Sequence, residues 1–229
     1  MNRAIEITLS SILLLILSPL ILLVLIASAV LTGKSPIIKQ PRSLTLGSSK
    51  INLYKIRTIV HLKEFQIAEK NSKRIYNKSE YENFIPPLCA YLRKTGFDEI
   101  LQLINVIKGD MSLIGPRPFT ETDLLIMKGT EPELYERRRM IKSKPGITGY
   151  WQIWGNREDG TINLIEYEEF YDKNKSFILD MKIILKTLVV FLTAGHVDSV
   201  LGNKKLTTFT NNKKVLIHLP IFLFYCMIL

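Results

Sequence analysis

The adjacent carboxylates Asp98 and Glu99 are the residues whose type and spacing first suggest chemistry. Thr95 precedes Asp98 by three positions, which is the spacing of a capping box, so the sequence predicts a helix that begins at Thr95. Apolar residues recur at helical spacing from position 97 to position 107, and Gly109 is the predicted end of the helix. Two interpretations stay open: first-turn acids that complement the helix dipole, or a carboxylate pair that does chemistry.

A single arginine lies in a stiff turn shortly after this predicted helix. Arg117 stands between Pro116 and Pro118 in the sequence GPRP. Because the two prolines restrict the backbone, the guanidinium is held at little further entropic cost, and its planar fork suits a phosphate or a carboxylate. A rigid turn with an exposed arginine is the alternative interpretation.

A second loop, KPGITG at residues 144–149, is punctuated by proline and glycine. Gly146 and Gly149 allow a close approach of the backbone to a ligand, and Thr148 offers a hydroxyl group. The loop matches neither a Walker motif nor a GxGxxG fingerprint, so its sequence does not identify the ligand.

Three further helical segments are predicted in the second half of the chain. Residues 131–142 form a basic one, with Arg138 at the centre of three consecutive arginines. Residues 163–172 carry four acids that are expected on a solvated helix face. Residues 176–192 are amphipathic, with Asp180 on the polar side.

The N-terminal segment is the longest element that has to position these residues. No charged residue occurs from position 7 to position 33, which is long enough for a helix that spans a bilayer. Pro19 removes a hydrogen bond from the middle of that helix and predicts a bend, and the Ser18 hydroxyl is expected to satisfy part of the freed backbone. The residues alone favour a kinked span with Lys34 in the cytoplasm, and a secretory signal peptide cleaved near Ala29 is the rival.

Two segments link the apolar stretch to the carboxylates. Residues 36–60 contain two short apolar runs around a Gly-Ser-Ser turn at 47–49, which predicts a hairpin of two strands. Residues 66–80 are polar and charged, and they are predicted to form an exposed helix or loop.

The positive charge of the chain is concentrated directly behind the apolar segment. The 229 residues include 31 Lys and Arg against 21 Asp and Glu, and residues 34–78 alone hold eleven basic and two acidic side chains. A basic block in this place points to anionic lipid. No nucleic-acid partner is predicted, because interleaved aromatic residues and a reading motif are missing.

Composition excludes several other classes of protein. An apolar content of 47% is too high for a disordered chain. Cys89 and Cys226 are too few and too far apart for a disulfide framework or a CxxC metal site, so they are predicted to be buried apolar residues in a reducing compartment. The sequence also lacks the HExxH and GxSxG motifs.

Together these segments resemble the bacterial sugar transferases, the monotopic polyprenyl-phosphate phosphoglycosyl transferases. The strongest part is the string LRKTGFDEILQLINVIKGDMSLIGPRP at residues 92–118. The loop at residues 144–149, with Trp151 and Gln152 after it, is a second and independent match. YKIRT at residues 54–58 is similar to a Lys-x-Arg-Thr strand of the family.

The resemblance implies a two-step reaction. Such enzymes move a phospho-sugar from a UDP-sugar to undecaprenyl phosphate, release UMP and start a surface glycan. Asp98 would be the nucleophile that forms a covalent intermediate, and Glu99 would hold Mg²⁺ together with it or tune its neighbour. Arg93 and Arg117 would meet phosphate oxygens. Four further residues are implied as substrate contacts: Lys55, Arg57, Arg138 and Thr148.

The resemblance also implies a membrane-associated, predominantly helical α/β protein with a small sheet. Residues 1–33 would form a re-entrant hairpin broken at Ser18-Pro19, residues 34–200 the catalytic domain, and residues 201–229 a tail of unknown role. The hairpin would place both of its flanks on the cytoplasmic face of the bacterial inner membrane, where the basic residues would meet anionic lipids. A homo-oligomer is compatible with this arrangement. A catalytically weak or inactive scaffold of a glycan-assembly complex is the alternative, because the loop after Gly155 and the tail depart from the family pattern.

Overall fold

The computed structural model describes residues 1–59, 85–156 and 159–193, and its longest helix is the apolar N-terminal segment. This helix, α1 (Arg3–Thr32), begins after Asn2, whose side chain accepts a hydrogen bond from the Ala4 N–H, and ends at Gly33 with a φ of 64°. The predicted polar segment at 66–80 and the predicted tail at 201–229 lie outside the described residues.

The polarity of α1 is inverted relative to a helix of a water-soluble protein. Its buried residues include Glu6, Ser28 and Thr32, whereas Leu15 and Val30 are 75% and 76% exposed. Within the described ranges, α1 is the one helix that is long and apolar enough to cross a membrane. The outward face of the helix therefore requires apolar surroundings, which water does not provide.

Pro19 lies inside α1 without ending it. The Ser18 hydroxyl donates to the Leu15 carbonyl over 2.8 Å, and this is the carbonyl for which Pro19 has no N–H. The predicted compensation by Ser18 is thus confirmed. The structure contains one continuous helical segment here and does not establish the predicted re-entrant break.

Both ends of α1 contact the same folded body. Near its start, the Arg3 guanidinium donates to the Val106 carbonyl and Glu6 Oε1 accepts from the Leu113 N–H over 3.3 Å. Near its end, the Ser28 hydroxyl donates to the Arg57 carbonyl over 2.6 Å. The helix therefore lies along the rest of the protein instead of projecting from it.

The predicted hairpin follows α1 and is confirmed. Strands β1 (Ile37–Arg42) and β2 (Ile51–Ile56) pair antiparallel, with Ile37 opposite Ile56. The Asn105 side chain occupies the other edge of β2, since its Oδ1 accepts from the Tyr54 N–H over 3.1 Å and its Nδ2 donates to the Asn52 carbonyl over 2.8 Å. One amide thereby takes the place of a neighbouring strand.

The Asp98–Glu99 pair lies between two helices, so the predicted helix start at Thr95 is wrong. Helix α2 (Pro87–Thr95) ends at Thr95, and Gly96 reverses the chain with a φ of 78°. A 3₁₀ turn (Phe97–Glu99) and helix α3 (Gln102–Lys108) follow. The predicted end at Gly109 is confirmed by its φ of 94°, a conformation that favours glycine.

The two glycine-containing loops meet at a second small sheet. Strands β3 (Ser112–Ile114) and β4 (Gly146–Thr148) pair in parallel. A Cβ on Gly146 would lie 2.0 Å from the Gly115 nitrogen, and a Cβ on Gly149 would lie 2.3 Å from the Gly115 oxygen. These glycines make possible a close approach between the two backbones, and the predicted approach to a ligand stays a prediction.

Helices complete the fold and enclose its main apolar core. They are α4 (Glu121–Thr130), α5 (Pro132–Arg139), α6 (Tyr150–Trp154), α7 (Gly160–Asn174) and α8 (Phe177–Leu192). The largest core cluster consists of Phe119, Leu124, Met127, Tyr135, Trp151, Leu164 and Ile165. The described residues therefore form a mostly helical protein with two two-stranded sheets, which agrees with the predicted small-sheet architecture.

Helix α8 is amphipathic as predicted, but its polar face differs from the prediction. Ser176 caps the helix by accepting from the Leu179 N–H. Asp180 is buried and accepts a hydrogen bond from the Tyr171 hydroxyl over 2.9 Å, so its predicted position on the solvated side is wrong. Burial raises the pKa of Tyr171, and the Asp180 carboxylate raises it further. The outward face carries apolar residues such as Leu185 and Leu192.

The contact between the two glycine loops predicts a large difference between two Gly→Ala substitutions. Gly146→Ala should destabilise the protein by at least about 2 kcal/mol, because its Cβ meets backbone atoms that cannot rotate away. Gly129→Ala is the matched control, since an added Cβ there meets nothing within 4 Å and alanine favours the helix by up to about 1 kcal/mol. Thermal unfolding in detergent measures both, and equal melting temperatures would contradict the backbone crossing.

Candidate active site

Glu99 is held from two sides by side chains of the protein. Lys55 on β2 lies 2.5 Å from Glu99 Oε1, and the Gln102 amide donates to Oε2 over 2.9 Å. The side chains of Lys55 and Glu99 are both largely buried, which strengthens their attraction relative to a surface pair. The structure thus brings the predicted residues Lys55 and Glu99 together.

Asp98 is 6% exposed and lies on the 3₁₀ turn that follows α2. Burial raises the pKa of the Cys89 thiol, the charge of Asp98 raises it further, and Arg93 opposes both effects. Cys89 itself is fully buried, so its predicted role as an apolar core residue is confirmed, while Cys226 lies outside the described ranges. The charges of Asp98 and Arg93 therefore act in opposite directions on the same buried thiol.

The Arg93 guanidinium has a hydrogen-bond donor without a partner among the described residues. One of its terminal nitrogens, Nη1, donates to the Thr58 hydroxyl over 3.1 Å. Its Nε is buried and has no hydrogen-bond partner in the part of the chain that the structure describes. Because an unpaired buried donor costs about 1–3 kcal/mol, the arrangement favours a ligand that brings an oxygen atom, such as a phosphate.

The 3₁₀ turn that carries Asp98 packs against the apolar helix α1. Phe97, the residue before Asp98, packs in one cluster with Ile21 of α1 and with Ile56 and Leu101. The ring of Phe191 on α8 lies 6.0 Å from the Phe97 ring. The position of the carboxylates is therefore tied to both apolar helices.

Arg138 has a different role from the predicted contact with substrate. It is 1% exposed, is ion-paired with Glu168, and its guanidinium lies 4.6 Å from the centre of the Phe119 ring. It also donates to the carbonyls of Leu44 and Arg117. Arg138 is thus a buried residue that positions the Arg117 turn.

Glu168 completes this buried group, so its predicted place on a solvated face is wrong. Its Oε1 accepts from the Arg117 N–H over 2.7 Å. Burial raises the pKa of Glu168, and the neighbouring Arg138 charge opposes that rise. Both backbone polar groups of Arg117 are fixed in this way, which adds to the restriction by its two flanking prolines.

Thr148 and Arg57 make hydrogen bonds to other parts of the protein. The Thr148 hydroxyl is 2.8 Å from that of Thr187, so it links β4 to α8. The Arg57 Nε donates to the Ser35 carbonyl over 2.7 Å. No direct contact joins either residue to Asp98 among the described hydrogen bonds and ion pairs.

Gln102 and Asn105 are the site residues that the sequence analysis missed. Gln102 stands three positions after Glu99, a spacing at which helical side chains meet, so a signal for its contact existed. The contact between Asn105 and β2 had no such signal, because more than fifty residues separate its partners Asn52 and Tyr54 from it.

The carboxylate pair fits Mg²⁺ only in company with a phosphate ligand. Residues 1–59, 85–156 and 159–193 contain no group of three or more His, Cys, Asp or Glu side chains that could hold a metal ion. Mg²⁺ is commonly bound by one or two carboxylates together with substrate phosphates, and Asp98 and Glu99 supply that minimal protein set.

The sequence was compared with known proteins. Residues 1–194 match the model of a protein family described as bacterial sugar transferase. The chain belongs to this family. An exopolysaccharide production protein, ExoY, of Rhizobium meliloti is 30% identical over 205 residues, covering 85% of this chain and 87% of its own. An uncharacterized sugar transferase, EpsL, of Bacillus subtilis is 33% identical over 188 residues, which cover 82% of this chain and 85% of the relative.

A third relative carries a more specific name. A UDP-glucose:undecaprenyl-phosphate glucose-1-phosphate transferase of Klebsiella pneumoniae is 32% identical over 196 residues, which cover 82% of this chain and 39% of the longer protein. As a member of the bacterial sugar transferases, the protein is an enzyme, a sugar-phosphate transferase, as the sequence predicted.

The burial of Arg138 predicts a stability effect that its neighbour should not share. Arg138→Met leaves Glu168 as an uncompensated buried charge and should lower the free energy of unfolding by about 3–5 kcal/mol. Arg139→Met removes a pair with Glu136 in which the two side chains are 56% and 59% exposed, so its cost should stay below about 1 kcal/mol. Denaturant unfolding in detergent measures both, and a small loss for Arg138→Met would contradict its buried ion pair.

Proposed function

We propose that the protein transfers a sugar phosphate from a UDP-sugar to undecaprenyl phosphate, releases UMP and initiates a surface polysaccharide or glycoconjugate. The observation that carries the proposal is the position of Asp98, which is buried on a turn that packs against α1 and follows helix α2, where Arg93 has a buried Nε without a hydrogen-bond partner among the described residues. An anionic sugar donor suits Arg93, and a lipid acceptor suits the apolar helix. The names of the Klebsiella relative and of an undecaprenyl-phosphate galactose phosphotransferase of Salmonella typhimurium support the same substrates.

In the first proposed step, Asp98 is the nucleophile. A carboxylate oxygen of Asp98 attacks the phosphorus that carries the sugar, the bond from that phosphorus to the bridging oxygen breaks, and UMP leaves with that oxygen. Lys55 and Gln102 bind the two carboxylate oxygens of Glu99 and hold it in a supporting position next to Asp98. Arg93 and Arg117 neutralise phosphate charge.

In the second proposed step, the lipid acceptor restores the enzyme. An oxygen of the acceptor phosphate attacks the phosphorus held on Asp98, the bond between that phosphorus and the aspartyl oxygen breaks, and the carboxylate is regenerated. The product is a polyprenyl diphosphate sugar. No oxidant or reductant is needed, because both steps are displacements at phosphorus.

A magnesium ion is part of the proposal. Asp98 and Glu99 would hold it with the donor diphosphate, and it would supply charge neutralisation that lowers the repulsion between a carboxylate and a phosphate. The ammonium group of Lys55, 2.5 Å from Glu99, balances the Glu99 charge from the protein side.

The proposed location is the cytoplasmic face of the bacterial inner membrane, with α1 as a re-entrant hairpin. The contacts of Arg3 and Glu6 at one end of α1 and of Ser28 at the other support a location of both ends on one side. A straight span would draw one set of contacts through a hydrocarbon core of about 30 Å. The basic residues that follow α1 are suited to anionic lipid headgroups.

Two alternatives make different predictions. A membrane-anchored scaffold without turnover would keep the fold and lack UMP release, yet Asp98 and the Lys55–Glu99 pair are arranged for catalysis. A signal peptide would be removed, whereas the Ser28 hydroxyl of α1 binds the Arg57 carbonyl and Ile21 packs against the catalytic turn. The interpretation as an active enzyme therefore has the stronger support.

The nucleophile assignment predicts the loss of one specific intermediate. Asp98→Asn should reduce turnover by roughly a thousandfold or more, because an amide cannot form the acyl phosphate. Glu99→Gln should retain at most a small residual rate of turnover. Asp159→Asn, at an exposed position, is the matched control. UMP release and the intact mass of wild-type enzyme incubated with donor alone are the measurements. Substantial UMP release by purified Asp98→Asn protein would refute the assignment.

The hairpin predicts that the N-terminus stays in the cytoplasm. In protein whose Cys89 and Cys226 have been replaced, Asn2→Cys should resist an impermeant maleimide in intact cells and react after permeabilisation. Each arm of a helix bent at Ser18-Pro19 has about 12–14 residues, roughly 18–21 Å, which is too short to cross.

Changing Ser18-Pro19 to Ala-Leu tests what sets this topology. A continuous helix of spanning length should move the introduced cysteine outside and make it reactive. External labelling of the unmodified hairpin would refute the re-entrant topology. An unchanged pattern in the Ala-Leu variant would show that the Arg3 and Glu6 contacts hold the helix without help from Pro19.

A further inference from the structure

We infer that Arg57 binds the phosphate group of the lipid acceptor, at a position distinct from the site where Arg93 meets the sugar donor. The inference rests on the proposed function and assigns one of its two substrates to a particular side chain. Three features of Arg57 support it: its level along α1, the state of its guanidinium, and its connection to the catalytic turn.

Arg57 lies where the apolar helix gives way to polar chain. Its carbonyl accepts from Ser28 in the last turns of α1, and its N–H donates to the Pro36 carbonyl over 2.7 Å. On the outer side of this part of α1, Val30 is exposed, and the first charged residue after the helix is Lys34. A lipid phosphate occupies this level of a bilayer, at the outer limit of the hydrocarbon.

The guanidinium of Arg57 is oriented but not saturated. Its Nε donates to the Ser35 carbonyl over 2.7 Å, which fixes the plane of the group. The two terminal nitrogens have no hydrogen-bond partner among the described residues. A planar fork with one edge anchored and its terminal nitrogens available suits two oxygens of one phosphate.

The residues on either side of Arg57 connect it to Asp98. Ile56 packs with Phe97, the residue before Asp98, and the Thr58 hydroxyl accepts from Arg93. Arg57 is therefore linked through its two sequence neighbours to the turn that carries Asp98 and to Arg93, and through its carbonyl to the last turns of α1, whose exposed apolar face can accommodate a lipid tail. Two arginines at separate places also allow two phosphate groups to approach with less mutual repulsion.

The chemistry assigns different half-reactions to the two arginines. Arg93 acts while the phosphorus is transferred from the donor to Asp98. Arg57 acts when an acceptor oxygen forms its bond to that phosphorus and the bond to the Asp98 oxygen breaks. Loss of Arg57 should therefore leave the first displacement intact and slow the second.

The test compares the two half-reactions in full-length protein reconstituted with undecaprenyl phosphate and a UDP-sugar that the wild type accepts. Arg57→Met should release one UMP per enzyme from the donor alone at the wild-type rate. Its kcat/KM for undecaprenyl phosphate should fall about tenfold to a hundredfold, as expected for the loss of a charge-assisted bidentate contact, with kcat/KM for the donor unchanged. Arg57→Lys should give a kcat/KM for undecaprenyl phosphate between those of the wild type and of Arg57→Met, because lysine keeps the charge and lacks the planar fork.

Lys34→Met is the matched control, because it removes a positive charge at the same boundary without removing the anchored fork. It should lower kcat/KM for the acceptor much less than Arg57→Met does. Equal losses of kcat/KM in the two variants would mean that Arg57 only adds to a general attraction for anionic lipid, and they would overturn the inference. A lost UMP burst in folded Arg57→Met protein would assign the residue to the donor and also overturn it.

The proposed function fails in a different way. If the wild-type protein releases no UMP from the donor alone but turns over with both substrates, the covalent mechanism is contradicted. The acceptor assignment is then decided by the two kcat/KM values alone, since a selective loss for undecaprenyl phosphate does not depend on the order of the steps.

Discussion

The packing of α1 against the turn that carries Asp98 is the contact on which the rest of the active site depends. Ile21 in the middle of α1 shares an apolar cluster with Phe97, Ile56 and Leu101, so the apolar helix packs directly against the turn that carries Asp98. Separation of the helix from the domain would expose Phe97 to water and break the hydrogen bond from the Leu113 N–H to Glu6. The candidate site and the apolar helix are therefore parts of one structural unit.

The GPRP and KPGITG loops depend on a different constraint, which is the close crossing of their two backbones. Gly115 and Gly146 approach so closely that only hydrogen atoms fit between them, and this contact brings the GPRP and KPGITG loops together. The buried Arg138–Glu168 pair then holds the Arg117 backbone at its N–H and carbonyl groups. Steric fit sets the distance between the loops, and charge pairing sets the orientation of one of them.

Local patterns predicted local structure well, while contacts between distant segments were invisible to them. The strands around residues 47–49, the helix end at Gly109 and the amphipathic helix at 176–192 follow from short-range propensities, and the structure confirms them. Glu168 was misplaced because its partner Arg138 lies 30 positions earlier, and a charged helix face has the same sequence pattern whether solvated or paired. The residues alone left two interpretations of the carboxylate pair open, and the assignment of Asp98 as nucleophile came from the family resemblance and stays a prediction.

The partners of Glu99 explain how two acids that are adjacent in the sequence can lie side by side in the fold. Two unscreened carboxylates side by side repel each other and favour protonation of one of them. Lys55 and Gln102 occupy both oxygens of Glu99, so its charge is neutralised and its position fixed within the protein. The positive charge of Lys55 thereby lowers the repulsion that Glu99 exerts on Asp98, which lies on the same 3₁₀ turn. Lys55 lies on β2 and Gln102 on α3, and the Asn105 amide holds these two elements together.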